Sequence, residues 1–181
     1  MIAQIRRVSL CVLAGFTMLV AAPFASPPET SAGIVAATSR KAAPALSLPD
    51  AAGKKHQLSD YKGRVVLLDF WATWCTGCKL EIPWFMEFAK KYKIKGLSPI
   101  GVAVDEEGWR TVKTYLADHP ITYPIVLGNF DVLEKTFGLP ASLPVTLLID
   151  RQGRIALTHP GVVDKEKFEE EIRQLLAERT H

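Results

Sequence analysis

The run Val65-Val66-Leu67-Leu68-Asp69-Phe70-Trp71-Ala72-Thr73-Trp74-Cys75-Thr76-Gly77-Cys78-Lys79-Leu80-Glu81-Ile82-Pro83 reads as an apolar strand, a short aromatic turn and a helix. The first turn of that helix carries two cysteines three residues apart. At a helix start, thiols so spaced fall within the Cα separation that a bridge needs, about 4.4–6.8 Å. The helix N-terminus offers unpaired N–H groups and a partial positive charge, which favour a thiolate over a thiol. The outer cysteine is thereby made a nucleophile for disulfide exchange. Cys75 reads as the attacking thiol and Cys78 as the resolving one.

Zinc is a weaker reading, because a structural site takes four ligands. The remaining cysteine, Cys11, lies far upstream, and His56, His119, His159 and His181 show no ligand spacing near the pair. No metal is therefore expected. An inert structural bridge is also possible, but so short a loop constrains the unfolded chain little. Chemistry explains the pair better than stapling does.

The chain has 181 residues, about one domain's worth once a leader is set aside. Its formal net charge of +3 falls to +1 without Arg6 and Arg7. No basic block stands out beyond short runs such as Lys90–Lys91, so neither nucleic acid nor an anionic membrane surface is expected as a partner. After a basic start, the uncharged run Val8–Ala22 is 15 residues long, which suits a secretory signal better than a span of about 20. Residues 1–25 therefore read as a signal peptide or an N-terminal anchor. Ala21, Ala22, Ala25 and Ser26 offer cleavage points without a clean A-x-A, and an uncleaved membrane tether stays open. Cys11 begins the apolar run, which argues against acylation, and Arg6–Arg7 also permits twin-arginine export. Either route leads to a periplasmic or otherwise extracytoplasmic compartment, where disulfides persist.

Residues 26–43 are rich in Ala, Ser, Thr and Pro without periodicity and read as a flexible linker, leaving 44–181 as the folded domain. Ala45–Leu48 and Lys54–Leu58 flank a turn sequence and suggest a hairpin. Arg64–Phe70 is apolar without alternation, as in a strand covered on both faces. A helix over Thr76–Tyr92 is expected to bury Leu80, Phe85, Phe88, Ala89 and Tyr92, with a kink at Pro83. Ser98–Val104 reads as a strand, Glu107–Ala117 as a helix with Trp109, Val112 and Leu116 on one face, and Tyr123–Leu127 as a strand. A short helix, Asp131–Phe137, ends at Gly138, and the strands Val145–Asp150 and Arg154–Thr158 form a second hairpin. The last helix, Lys165–Arg179, places Phe168, Ile172, Leu175 and Leu176 inward, with acids early and Arg173 and Arg179 late. The pattern is α/β, helices around a mixed sheet.

Three features resemble the thioredoxin superfamily, and more narrowly its TlpA/ResA-like extracytoplasmic thiol–disulfide oxidoreductases. They are Phe70-Trp71-Ala72-Thr73-Trp74-Cys75-x-x-Cys78 with Pro83 following, Leu143-Pro144-Val145-Thr146-Leu147-Leu148-Ile149-Asp150, and the opening Leu58-Ser59-Asp60-Tyr61-Lys62-Gly63-Arg64-Val65-Val66-Leu67-Leu68. The resemblance spans Pro44 to Arg179. It implies a thioredoxin fold, a central mixed β-sheet flanked by helices, with an N-terminal β-hairpin extension and a central βα insertion.

The resemblance also implies site residues. Leu143–Pro144 matches the family's cis-proline loop, in which a proline without an N–H faces the disulfide and the preceding backbone is free to pair with an extended client. Pro140 is a rival for that role. Asp69 matches the buried aspartate of thioredoxins. Within an apolar strand it should be desolvated, with a raised pKa, and so able to relay a proton to or from Cys78. It could equally be a strand-end acid that reaches water. Glu81 matches the family's active-site glutamate, one turn beyond Cys78, with a solvated first-turn acid as the alternative. Trp74 is the better candidate for a client surface, with Thr76, Gly77 and Leu143, whereas Trp71 suits the core as well. Many relatives carry proline before the second cysteine. Gly77 departs from that, so the usual family potential cannot be assumed.

The implied function is an exported reductant: Cys75 attacks a client disulfide, Cys78 resolves the mixed disulfide, and a membrane donor of DsbD or CcdA type recharges the pair. Implied clients are apocytochrome c or other exported cysteine proteins, and no cofactor is implied. A DsbA-type oxidant would use the same pair at a higher potential. A thiol peroxidase is disfavoured because Ala72, not threonine, precedes Cys75 by three. A Sco-like copper chaperone is disfavoured by the cysteine spacing.

Overall fold

A computed structural model of the chain describes residues 33–178. In chain order the elements are β1 (Ser47–Pro49), β2 (Lys55–Gln57), β3 (Val65–Trp71), α1 (Thr76–Tyr92), β4 (Leu97–Ala103), α2 (Trp109–Asp118), β5 (Ile125–Leu127), α3 (Phe130–Phe137), β6 (Val145–Ile149), β7 (Ile155–Pro160) and α4 (Lys165–Ala177). The main sheet runs β5-β4-β3-β6-β7. Its central strand, β3, is buried at every position, parallel to β4 and antiparallel to β6. An apolar run without alternation suits that place, since both faces are covered.

Side chains alternate across β3 and so assign the layers. On the Asp69–Trp71 face, Trp71 meets Tyr115 of α2 with ring centroids 5.6 Å apart, and Lys79 of α1 lies 5.4 Å from the same tyrosine ring. Phe85 of α1 meets Phe168 of α4 at 5.7 Å. Helices α1, α2 and α4 therefore share this face. On the other face Phe70 meets Phe137 of α3 at 5.7 Å. The β1–β2 hairpin also lies there: Leu48, Leu133 and Val102 converge on Gly128. Its turn closes through Gly53, whose φ of 83° favours glycine. The expected architecture is present, with the hairpin preceding the main sheet in the chain and β5–α3 inserted in chain order between β4 and β6.

Several expectations are corrected. Strands β3 and β4 are shifted by one residue from the expected bounds, and α2 begins at Trp109. Leu80 is 56% exposed rather than buried. The inward stripe of α1 is Cys78, Glu81, Ile82, Phe85, Phe88 and Tyr92, and its phase leaves Leu80 outside. Pro83 lies inside α1, as expected. The expected linker is docked over its later part: Val35 N–H donates to Ala156 O (2.8 Å), Ile155 N–H to Lys41 O (2.8 Å) and Ala43 N–H to Gly153 O (2.9 Å). Helix α4 ends at Ala177. Arg179 and the expected leader, residues 1–25, lie outside the described residues.

An ion cluster ties both ends of the described segment to the sheet. Arg40 pairs with Asp150 (3.1 Å) and Glu178 (2.6 Å), and Arg154 reaches Asp150 from the other side (2.8 Å). Among the described residues no helix is long and apolar enough to cross a membrane.

Candidate active site

Cys75 caps the N-terminus of α1, and its sulfur accepts from Cys78 N–H at 3.1 Å. The two cysteines are joined, with S–S 2.02 Å and Cα–Cα 5.3 Å. Cys75 retains 5% exposure and Cys78 none, so an incoming thiol or disulfide meets Cys75 first. That asymmetry fits an attacking outer sulfur and a resolving inner one. The helix start favours the Cys75 thiolate once the bridge opens. Ahead of it the turn is held by Asp105, which accepts from Thr73 N–H (3.1 Å) and Thr73 Oγ1 (2.5 Å). Held this way, Trp74 stands 68% exposed beside Cys75, and Thr76 is exposed as well. Trp71 is fully buried and belongs to the core.

The facing wall comes from the β6 entry and the β7–α4 loop. The Leu143–Pro144 peptide is cis, and among the described residues Pro140 has no such bond. Pro144 is buried and Leu143 half-buried. A Cβ at Gly77 would stand 3.2 Å from Pro144 Cδ and 2.8 Å from Val162 Cγ2, so the two walls meet at this residue. Gly161 N–H donates to Pro144 O at 2.8 Å and fastens the loop to the proline segment.

Behind the cysteines lies a floor of buried polar groups. Asp69 is fully buried, and both its oxygens lack a protein partner. Burial, with a smaller contribution from the nearby Glu81 charge, holds its carboxyl well above the usual range. Glu81 is also fully buried, and Val163 N–H donates to its Oε1 at 2.6 Å while Oε2 is unpaired. Burial raises its pKa to about 7, although the Val163 hydrogen bond pulls the other way. Thr146 stands opposite Asp69 on β6, and Gly101 is its partner on β4. The missing side chain at Gly101 admits Trp71 Nε1 and Tyr123 Cε2, at 3.0 and 3.2 Å from where its Cβ would be. Thr146 Oγ1, Trp71 Nε1 and the Tyr123 hydroxyl are likewise unpaired. Such groups are normally satisfied, so these unpaired atoms stand out as a candidate functional cluster.

Between Trp74 and Leu143 opens a groove of about 600 Å³, lined also by Phe130, Glu106 and Asp131. It can take an extended segment next to Cys75. Neither that groove nor a larger cavity of about 710 Å³, lined by Tyr61, Arg64, Met86 and Pro99, has a cysteine in its lining. Among the described residues no group of three or more His, Cys, Asp or Glu side chains is placed to hold a metal ion.

Each residue singled out in the sequence lies at this site or lines it: Cys75, Thr76, Gly77, Cys78 and Glu81 on α1, Trp74 before it, Asp69 on β3, and Leu143 and Pro144 before β6. Sequence reasoning missed Val162, Val163, Tyr123 and Thr146. Thr146 carried a signal, being a lone hydroxyl inside the apolar run Val145–Ile149, and Tyr123 carried none. Val162 and Val163 are brought in from 82 or more residues away by closure of the fold.

Residues 40–158 match the AhpC/TSA family model. The chain is 35% identical over 135 residues to the thiol-disulfide oxidoreductase ResA of Bacillus thuringiensis subsp. konkukian, covering 75% of this chain and 77% of that protein. It is 30% identical over 131 residues to the thioredoxin-like protein YneN of Bacillus subtilis, covering 72% and 76%. Among solved structures, a Chlorobium tepidum protein described as the thiol:disulfide interchange protein DsbE superposes with TM-score 0.72 at 34% identity, covering 76% of this chain and 97% of that one.

Proposed function

We propose, for a chain that belongs to the AhpC/TSA family and within it to the ResA-like thiol–disulfide oxidoreductases, an exported enzyme that reduces the disulfides of extracytoplasmic client proteins. The observation that carries this reading is the Cys75–Cys78 bridge at a helix start, Cys75 keeping 5% exposure against none for Cys78, with two buried carboxyls of raised pKa behind it. In the reduced enzyme the Cys75 thiolate attacks one client sulfur, and the other client sulfur leaves and takes up a proton. Asp69 or Glu81 accepts the Cys78 proton. The Cys78 thiolate then attacks Cys75 Sγ, re-forms the bridge and releases the second client thiol. Two electrons pass to the client, and a membrane donor of DsbD or CcdA type returns them.

Trp74, Thr76, Gly77, Leu143 and Pro144 form the client surface in this reading. The free backbone at Leu143 pairs with an extended client segment lying along the Trp74 groove. Apocytochrome c is the client class the family suggests, and the leader, residues 1–25, either is removed or tethers the enzyme. The reading is tested by Cys78→Ser, which stops the second step. Mixed disulfides with exported cysteine proteins should accumulate on Cys75, and insulin reduction should fall to background. Absence of any mixed disulfide would contradict it, as would peroxide consumption faster than insulin reduction or stoichiometric copper binding by the reduced protein.

A further inference from the structure

Gly77 occupies the second position of α1, and its φ lies outside the left-handed region, so its backbone gives no reason for a glycine. Alanine forms helix better than glycine. The reason is space. A Cβ there would stand 2.8 Å from Val162 Cγ2, well inside the roughly 3.5 Å at which carbon atoms rest against each other. Val162 itself is anchored on both sides. Gly161 N–H holds Pro144 O at 2.8 Å, and Val163 N–H holds Glu81 Oε1 at 2.6 Å. Three consecutive residues thus touch the proline segment, the disulfide turn and the buried carboxylate.

We propose that Val162 is a positioning residue which couples the Cys75–Cys78 turn to Glu81. Movement or added volume at residue 77 pushes Val162 and shifts the adjoining Val163 N–H against the carboxylate. The inference rests on the Cys75–Cys78 pair being the exchange site. When the bridge opens, the two sulfurs separate to non-bonded distance, and a shift of the intervening Gly77 would bear on Val162. Through Val162 that change reaches the group that handles the Cys78 proton, so the redox state of the pair sets how firmly Glu81 holds a proton. The titratable groups that face Glu81 are Asp69 from β3 and Tyr123 from the segment before β5. The loop reaches the same carboxylate by a different route, the Val163 N–H.

The test follows Glu81 in the oxidised protein by carboxyl ¹³C NMR with labelled glutamate, its signal assigned by Glu81→Gln. Gly77→Ala should move the Glu81 midpoint alkaline by about one pH unit, as expected when a hydrogen bond to an ionised group is loosened. In Val162→Ala the push has nothing to act on, so adding Gly77→Ala should produce no further shift. Val162→Leu enlarges the contact from the other side without altering the turn, and should reproduce the alkaline shift even if Gly77→Ala fails to fold. An unmoved midpoint in both Gly77→Ala and Val162→Leu would overturn the proposal. So would an equal Gly77→Ala shift with and without Val162. The oxidised-state titration needs no exchange activity, so its failure leaves client reduction standing, whereas a failed insulin assay removes the enzymatic reading whatever the titration shows.

Discussion

Two buried aspartates at opposite ends of the sheet are treated in opposite ways. Asp150 accepts from Arg40 and Arg154 and from the backbone N–H groups of Gln152 and Arg154, and these partners hold its carboxyl below the usual range against the pull of burial. Asp69 has no protein partner on either oxygen, and burial with the Glu81 charge nearby drives its carboxyl up. The first acid fastens Arg40, and with it the N-terminal segment, to β6 and the end of α4. In the proposed reading the second takes up the Cys78 proton. A buried acid that is fully paired is architecture, and one left unpaired beside a reactive cysteine is chemistry.

The sharpest way to break this contrast is at Asp150. Asp150→Asn leaves two guanidinium groups facing a neutral amide and should lower stability by about 3 kcal/mol in urea unfolding at pH 7, because one partner of a buried ionic cluster has been removed. Client reduction per folded molecule should change less than twofold. Asp69→Asn should do the reverse, slowing the second, resolving step of exchange by about tenfold, less than the roughly 10²–10⁴ of a full general acid–base contribution because Glu81 remains in place.

The pH dependence of stability separates the two acids further. The folded pKa of Asp69 is raised, so the folded state binds its proton more tightly than the unfolded chain does. Stability therefore falls as pH rises from about 4 through the folded value, and Asp69→Asn should erase that decline. Asp150 has a lowered folded pKa. Its contribution is present above about pH 4 and is lost as pH falls through the folded value. Urea midpoints measured from pH 3 to 9 on the two variants should thus differ from wild type at opposite ends of the range.

Glu81 lies between these extremes, with one oxygen paired and its pKa raised to about 7. Glu81→Gln should remove an inflection near pH 7 from the exchange-rate profile and lower the rate above it by roughly fivefold, below the about 10²–10⁴ of a full general-base contribution because Asp69 remains in place. The smallest effect belongs to Trp74→Ala. At 68% exposure the side chain holds nothing together, so stability should shift by no more than about 0.5 kcal/mol. Insulin reduction should fall a few-fold, while reduction of a small aromatic disulfide should stay level.

The chemistry of this site was legible because it is local. Cys75, Cys78 and Glu81 share one helix start, and Asp69 lies inside the apolar run that leads into it. The polar members of the stripe are also what misled the reading of α1. With Cys78 and Glu81 facing inward, apolar residues alone gave the wrong phase and drew Leu80 into the core. The linker expectation failed for another reason. Val35–Ala43 is held by backbone hydrogen bonds to the β7 region and by Arg40, whose partners lie 110 and 138 residues away, and side-chain composition carries no trace of either. The same limit hid Val162: Gly77 looked like a loosened turn, whereas its missing side chain is room left for a residue supplied by the far end of the sheet.

The central claim, that Cys75 and Cys78 donate electrons to clients, is tested most directly by equilibrating the protein in glutathione and dithiothreitol buffers and trapping free thiols. A single two-electron transition is expected, with the pair half-reduced only in buffers poised below about −220 mV. A pair that remained half-reduced near −120 mV, where strong oxidants sit, or one that showed no transition at all, would contradict the account.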